Sequence, residues 1–246
     1  MSIAYYPTKP VTFGAQIQFP NGAFYQDGYT TLTAAMTNVS TTPIQVVSTT
    51  GFINSGGLII GSEIIKYTGI TSTTFTGITR GAFGSSASSH NIGDYVGEAQ
   101  TLASSASTLP LTLLQTTTSN GVALDATDKT KVVHSIAGIY NIQFSIQMLT
   151  FDNTIDNVAI WFRKNGTDIP YSAGIATVPA IHGGEPGTAI ISWNLVETMN
   201  AGDYIQLLFA SDTGNTVAAT YPPGTSPVHP ASPSIILTST FVSALY

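Results

Sequence analysis

The chain has 246 residues, of which only 8 % are charged and 43 % hydrophobic; it is long enough for one large domain or two modest ones, and its composition is not that of a disordered protein. Its seven Lys and Arg residues are scattered and its net charge is −6, which excludes the concentrated basic face needed to bind nucleic acid or an anionic membrane. Cysteine is absent, which excludes disulfides, zinc–thiolate sites and cysteine nucleophiles.

The beginning of the sequence shows no basic segment followed by an apolar one, and no apolar run reaches the roughly 20 residues of a membrane helix. We therefore expect neither a signal peptide nor a membrane span. Together with the missing cysteine, this fits assembly in a reducing cytoplasm.

The first region, residues 1–42, has an extended character. Apolar residues occupy every second position of Val11–Phe19, which is the period of a strand. Pro7, Pro10 and Pro20 punctuate the region and disfavour a central strand. The pattern predicts an extended N-terminal arm or peripheral strands; the alternative is an ordinary edge strand of the next domain.

Residues 43–97 have the pattern of a small β module. The apolar runs Gly57–Ile60 and Glu63–Tyr67 flank Gly61 and Ser62, and a Gly-Xaa pair between two such runs predicts a type II′ hairpin. Two further short strands complete the predicted module, over Thr74–Thr79 and at Tyr95 and Val96.

Residues 98–110 are rich in Ser and Ala and are interpreted as a linker. Residues 111–246 then contain short apolar runs separated by turns, which predicts one antiparallel sandwich of the jelly-roll type. Asn165-Gly166 is a strong hairpin signal within it. The predicted fold class is therefore all-β, a small module followed by a jelly roll. The candidate strands are Leu111–Thr118, Lys131–Ile136, Gly138–Thr150, Asn157–Lys164, Thr188–Thr198, Tyr204–Ala210 and Ser234–Leu245.

The C-terminal region contains an ordered series of motifs, Gly138–Phe144, Trp161–Gly166, Leu195, Ala201–Leu207 and Ile235–Thr238. This series resembles the jelly-roll domain shared by complement globular heads and the tumour-necrosis-factor superfamily. The resemblance covers over half of the chain and implies a compact homotrimer. The calcium sites of some relatives match no clear motif here.

The middle module has a motif of its own, made of Thr50–Phe52, Ser55–Glu63, Tyr67–Gly69, Thr74–Gly77, Thr79–Gly81, His90, Gly93 and Asp94. This motif resembles a segment that recurs in phage tail and other virion proteins. The two resemblances together imply a bacteriophage structural protein located in the virion. Such a particle assembles in the host cytoplasm and is released by lysis, so its proteins need no signal peptide.

Aromatic side chains near a three-fold axis would supply the trimer interface, and the candidates are Tyr140, Phe144, Trp161 and Phe162. The alternative is that these four residues form ordinary core between the two sheets. Because Trp161 and Phe162 are adjacent in a strand, they should point to opposite faces.

No motif for catalysis, metal binding or cofactor binding is found. The chain contains no Gly-Xaa-Ser-Xaa-Gly elbow, no phosphate-binding glycine loop and no closely spaced pair of histidines. We therefore expect a protein that is not an enzyme and that uses no metal or cofactor.

Two long loops are candidate partner-binding loops, since long loops in a compact domain are usually functional. The loop over residues 169–187 contains Tyr171 and His182, and the proline-rich loop over residues 213–232 contains Tyr221 and His229. These aromatic residues could bind a host glycan or could form contacts between subunits of a trimer.

Three hypotheses follow from the sequence. The first is a trimeric decoration or cement protein that binds the outside of a phage head, with the major capsid protein as its partner. The second is a short tail fibre or spike that binds a host surface glycan, although the sequence shows no shaft repeat. The third is a tail-associated enzyme acting on polysaccharide, which the absence of a catalytic motif disfavours.

Overall fold

The computed structural model describes residues 19–225 and 227–245, and these residues form an all-β structure of 22 strands without a helix. The first nine strands are β1 (Asn21–Gln26), β2 (Tyr29–Thr31), β3 (Ile44–Gln45), β4 (Gly56–Ile60), β5 (Glu63–Tyr67), β6 (Gly69–Ile70), β7 (Thr74–Thr76), β8 (Tyr95–Thr101) and β9 (Leu109–Pro110). The remaining strands are β10 (Gln115–Asn120), β11 (Val122–Leu124), β12 (Val132–His134), β13 (Gly138–Thr150), β14 (Asp156–Lys164), β15 (Thr167–Asp168), β16 (Gly174–Val178), β17 (Gly187–Met199), β18 (Tyr204–Ser211), β19 (Val217–Ala219), β20 (Gly224–Thr225), β21 (Val228–His229) and β22 (Ile235–Ser243).

The largest sheet has the order β10-β1-β22-β13-β19-β8-β4-β5, and all of its strand pairs are antiparallel. Strand β13 is its centre. One edge of β13 pairs with β17 along the full length of both strands, from Gly138 opposite Met199 to Thr150 opposite Gly187. The other edge pairs first with β22 and then with β19.

A second sheet, with the order β11-β12-β18-β14-β15, packs against the first. The side chains of β13 alternate between buried and less buried positions, as expected of a strand with one face on a core. Phe144 of β13 meets Phe162 of β14 edge to face, with ring centroids 5.6 Å apart. The core lies between these two sheets. The predicted all-β antiparallel sandwich is therefore confirmed.

The middle module extends the large sheet instead of standing apart from it. Strands β4 and β5 form the predicted hairpin, in which Gly61 has a φ of +57° and Ser62 has a negative φ, as a type II′ turn requires. Strand β8 then joins this hairpin to β19 of the sandwich. The module also has its own core beneath a small sheet of β3, β7 and β6.

The predicted linker over residues 98–110 requires a correction, because its first four residues belong to β8 and its last two form β9. Glu98 and Gln100 are buried, and the side-chain amide of Gln100 forms two hydrogen bonds, of 2.9 and 2.7 Å, with the backbone of Thr112. The turn over residues 103–106 is exposed, as expected of a Ser- and Ala-rich linker.

Most of the predicted N-terminal strand, Val11–Phe19, lies outside the described residues, and of this stretch only the exposed Phe19 is described. The rest of the region is integrated into the fold. Strand β1 lies between β10 and β22, and β2 pairs with β8, so neither behaves as a detached arm.

Candidate functional site

Three of the four aromatic residues predicted for a trimer interface lie in the core. Tyr140, Phe144 and Phe162 belong to the cluster between the two sheets and have almost no exposed surface. Their side chains are thus unavailable to a partner, and the alternative interpretation as core between the sheets applies to them. A strand alternates its faces, so an aromatic residue on it can serve the core as readily as an interface.

Trp161 is the exception among the four residues. Its neighbour Phe162 points into the core, and Trp161 lies half-buried on the opposite face of β14, where its Cα pairs with that of Leu208. The prediction that these adjacent residues point to opposite faces is confirmed.

The outer face of the large sheet has an unusual composition at β13, β17 and β22. The outward positions are the odd residues 139–147 of β13 and the even residues 188–198 of β17 and 236–242 of β22. Among these described positions none is Asp, Glu, Lys or Arg. We call this surface the uncharged face. Its aliphatic members are Ile139, Ile190, Val196, Ile236 and Val242.

Small uncharged polar side chains fill the rest of the uncharged face. Ser145 pairs on one side with Ser192 and on the other with Ile236. Nearby, the Asn194 side-chain amide donates to Oδ1 of Asn141 at 3.0 Å. The nearest charged group of β17, Glu197, points inward and pairs with Nζ of Lys164 at 3.1 Å. Such a face can be covered by a partner without the desolvation of an ion.

Tyr171 lies on the loop that follows β15, apart from the other predicted loop residues. Its side chain is fully exposed, with a relative accessibility of 105 %, and its φ of +63° lies in the left-handed region. A non-glycine residue held there costs roughly 1–3 kcal/mol. The next residue holds the turn, since the Ser172 hydroxyl donates to the carbonyl of Ile169 at 2.8 Å and accepts the Phe162 N–H at 3.1 Å.

The structure brings together two of the four predicted loop residues. Tyr221 and His229 both line a cavity of about 820 Å³, which we call the Pro-loop cleft. His182 is exposed, and its backbone pairs with that of Glu185 at the rim of the cleft. Tyr171 belongs to a different surface, beside Trp193.

The Pro-loop cleft lies between the middle module and the sandwich. The module contributes the β4–β5 turn and a segment containing Asp94 and Tyr95. The sandwich contributes Glu185 with the residue after it, and the segment over residues 221–224. Burial raises the pKa of Tyr221, whose hydroxyl has no hydrogen-bond partner among the described residues.

A buried ionic cluster in the middle module contains three residues of its sequence motif, Glu63, Arg80 and His90. The Glu63 carboxylate accepts from Nε and Nη2 of Arg80 at 2.7 and 2.8 Å, and Nε2 of His90 lies 2.7 Å from its Oε2. Backbone N–H groups of Gly81 and Ser88 donate to the same carboxylate. Although burial alone would raise the Glu63 pKa, these bonds outweigh it and lower that pKa to about 2.

A second buried acid, Glu98, lies where three parts of the chain meet. Its backbone N–H donates to the carbonyl of Gly28 at 2.7 Å, and its carbonyl accepts from Thr220 at 2.8 Å. Burial raises the Glu98 pKa to about 8, against a smaller lowering by the side chains of Gln26 and Ser234. Both carboxyl oxygens lack a partner with good hydrogen-bond geometry among the described residues.

No protein-family model matches the chain, and no curated protein shows significant similarity to it. The described part of the chain contains no helix long and apolar enough to cross a membrane. Within residues 19–225 and 227–245, no three His, Cys, Asp or Glu side chains are grouped so that they could share a metal ion.

The sequence did not indicate the other cleft residues or the uncharged face. Tyr95 was interpreted only as the start of a strand, and nothing local shows that it faces the same cavity as Tyr221. The sequence does contain a sign of the uncharged face, because the residues at alternate positions of β13 and of β17 are all uncharged. That signal becomes a surface only after the pairing of the two strands is known.

Proposed function

We propose that this chain is a non-enzymatic structural protein of a bacteriophage virion, a homotrimer that decorates the outside of the head by binding the major capsid protein. The observation that carries the proposal is the uncharged face. The motif resemblances noted in the sequence, to trimeric jelly rolls and to virion segments, support the same proposal.

The uncharged face suits permanent assembly for a physical reason. Interfaces between copies of a chain are depleted of charged residues at their centre, because a buried charge must be desolvated and paired. Ile190, Val196 and Val242 are at least half exposed, and their burial against a partner would lower the free energy of the assembly. The neighbouring Ser, Thr, Asn and Gln residues can form hydrogen bonds with polar groups of an adjacent subunit.

Trimerisation predicts a solution mass near three times the 25.7 kDa of the protomer in light scattering. In Val196→Asp we expect dissociation to the monomer, since the variant places a carboxylate in the contact. Val39→Asp is the matched control, because Val39 is also an exposed valine but lies in the loop between β2 and β3, away from the uncharged face; it should remain trimeric. A monomeric parent protein at micromolar concentration would contradict the proposal.

The location of the chain on the particle tests the rest of the proposal. Immunogold labelling with an antibody to the purified protein should mark the outside of the head, and a particle reconstruction should show density for it on the shell. Labelling confined to the tail would overturn the head assignment.

The alternative function is that of a short tail fibre or spike, or of another tail-associated protein that binds a host surface glycan. The Pro-loop cleft is the observation that favours this alternative. Purified trimer that adsorbs to host cells and blocks infection would support the tail assignment.

A further inference from the structure

The walls of the Pro-loop cleft are held in place by backbone constraints. Pro186, Pro222 and Pro223 line it and have restricted backbone torsions. Glu185 is fixed by two reciprocal backbone hydrogen bonds with His182, each of 3.0 Å. The volume of about 820 Å³ lies within the range of pre-formed ligand sites. A ligand would therefore meet a shaped cavity rather than a collapsed loop.

The carboxyl groups of Asp94 and Glu185 line the cleft, together with the imidazoles of His90 and His229. No Lys or Arg is found among the described residues that line the cavity. His229 packs over Gly224 and its Nδ1 donates to the carbonyl of Pro230 at 2.7 Å. Carboxylates accept hydrogen bonds from hydroxyl groups and repel anions.

Aromatic rings come from both sides of the cleft. Tyr95, on the module side, has 44 % of its surface exposed, and Tyr221, on the sandwich side, is half-buried with its hydroxyl unpartnered among the described residues. A tyrosine ring offers a flat apolar surface with a polar tip. Gly61, Gly93 and Gly184 have open space where a side chain would stand, so a ligand can approach the backbone there.

We infer that the Pro-loop cleft binds a neutral oligosaccharide. Sugar rings have apolar C–H faces, which would stack on Tyr95 and Tyr221, and hydroxyl groups, which would donate to Asp94 and Glu185. The two carboxylates repel anionic glycans, so a neutral one is preferred. The inference goes beyond head decoration and does not depend on the location of the chain on the particle, although it supplies the ligand class that the tail alternative needs.

Saturation-transfer NMR on the full chain tests the inference, with cellohexaose, maltohexaose and chitohexaose as neutral probes and a hyaluronate hexasaccharide as the anionic one. We expect transfer to at least one neutral probe and none to hyaluronate. Tyr95→Ala should weaken that binding by about tenfold or more, as truncation of an aromatic anchor does. Tyr29→Ala is the matched control, because Tyr29 is 45 % exposed on a strand paired with the same β8 but lies outside the cleft. Binding should be unchanged in it.

The inference would be overturned by no transfer to any neutral probe at millimolar concentration, or by equal binding of a neutral probe to the parent protein and to Tyr95→Ala. A basic peptide, heptalysine, is a further probe. Tighter binding of heptalysine than of every neutral probe would also overturn the inference. The last result would make the cleft a site for a basic peptide. The mass of Tyr95→Ala in light scattering separates this test from the assembly proposal, since loss of sugar binding should leave the trimer intact.

Discussion

Replacing Arg80 by alanine is expected to lower the free energy of unfolding by about 3–5 kcal/mol, the usual cost of removing one partner from a buried ion pair. Glu63 has no exposed surface, and the guanidinium supplies two of the bonds that keep its carboxylate charged there. Arg80 also donates to backbone carbonyls of Thr37, Ser40 and Ser88, so its removal breaks those three hydrogen bonds as well. Guanidinium-induced unfolding at a fixed protomer concentration measures the effect.

Arg163→Ala is the matched control for that experiment. Arg163 also forms an arginine–carboxylate pair, with its Nε 2.6 Å from Oδ1 of Asp168. The side chains of this pair are 25 % and 54 % exposed, whereas those of Arg80 and Glu63 are 6 % and 0 % exposed. Exposed pairs contribute about 0–1 kcal/mol, so Arg163→Ala should have little effect. Equal losses of unfolding free energy in Arg80→Ala and Arg163→Ala would show that burial does not determine the cost of breaking an ion pair.

The strands of the sandwich could be predicted because their signals are local. Gly138–Thr150 alternates in polarity from Tyr140 to Met148, and the predicted bounds are those of β13. Asn165-Gly166 forms the predicted tight turn, with φ values of +49° and +82°. In both cases residues within one segment set the conformation, by the two-residue period of a strand or by the positive φ that a hairpin turn requires.

The burial of particular side chains could not be predicted in the same way. Alternation shows that Tyr140 and Ile139 lie on different faces, but only the second sheet determines which face becomes core. Strand β19 was missed because Val217–Ala219 is short and mostly alanine, and it is a strand only because β8 and β13 flank it. Residues 98–101 have a linker-like composition and are nevertheless a buried part of β8.

The buried cluster of the middle module could not be predicted from the motif that contains it. Glu63, Arg80 and His90 belong to that motif, which by itself assigns them no role. In the structure they meet in one buried cluster, together with backbone N–H groups of Gly81 and Ser88. Their spacing is thus explained by folding of the module around a carboxylate, a relation that no linear pattern displays.

Glu98→Gln is expected to stabilise the fold by about 3 kcal/mol at pH 7. Burial raises the Glu98 pKa from 4.5 to about 8 in the folded chain, because the ionised form would have to leave water. At pH 7 the folded chain therefore holds a proton on Glu98 that the unfolded chain has released. Glutamine is neutral and similar in shape, so the variant avoids this cost.

The pH dependence of the stability difference between Glu98→Gln and the parent protein shows whether proton uptake by Glu98 causes it. A carboxyl group with a raised folded-state pKa contributes its full stability below pH 4.5, and that contribution falls as the pH rises to about 8. The advantage of Glu98→Gln over the parent protein should thus be near zero at pH 4.5, grow by about 1.4 kcal/mol per pH unit, and level off above pH 8. Other titrating groups are common to both proteins and cancel in this difference.

Glu185→Gln provides the control for the substitution itself. Glu185 is exposed on its loop, so the same change of charge should alter the unfolding free energy by no more than about 0.5 kcal/mol at any of these pH values. A constant advantage of Glu98→Gln across the pH range would contradict the assignment of the cost to proton uptake. Destabilisation by Glu98→Gln at pH 7 would also contradict it. The expected slope would instead show that the junction of β8, Gly28 and Thr220 holds a neutral acid.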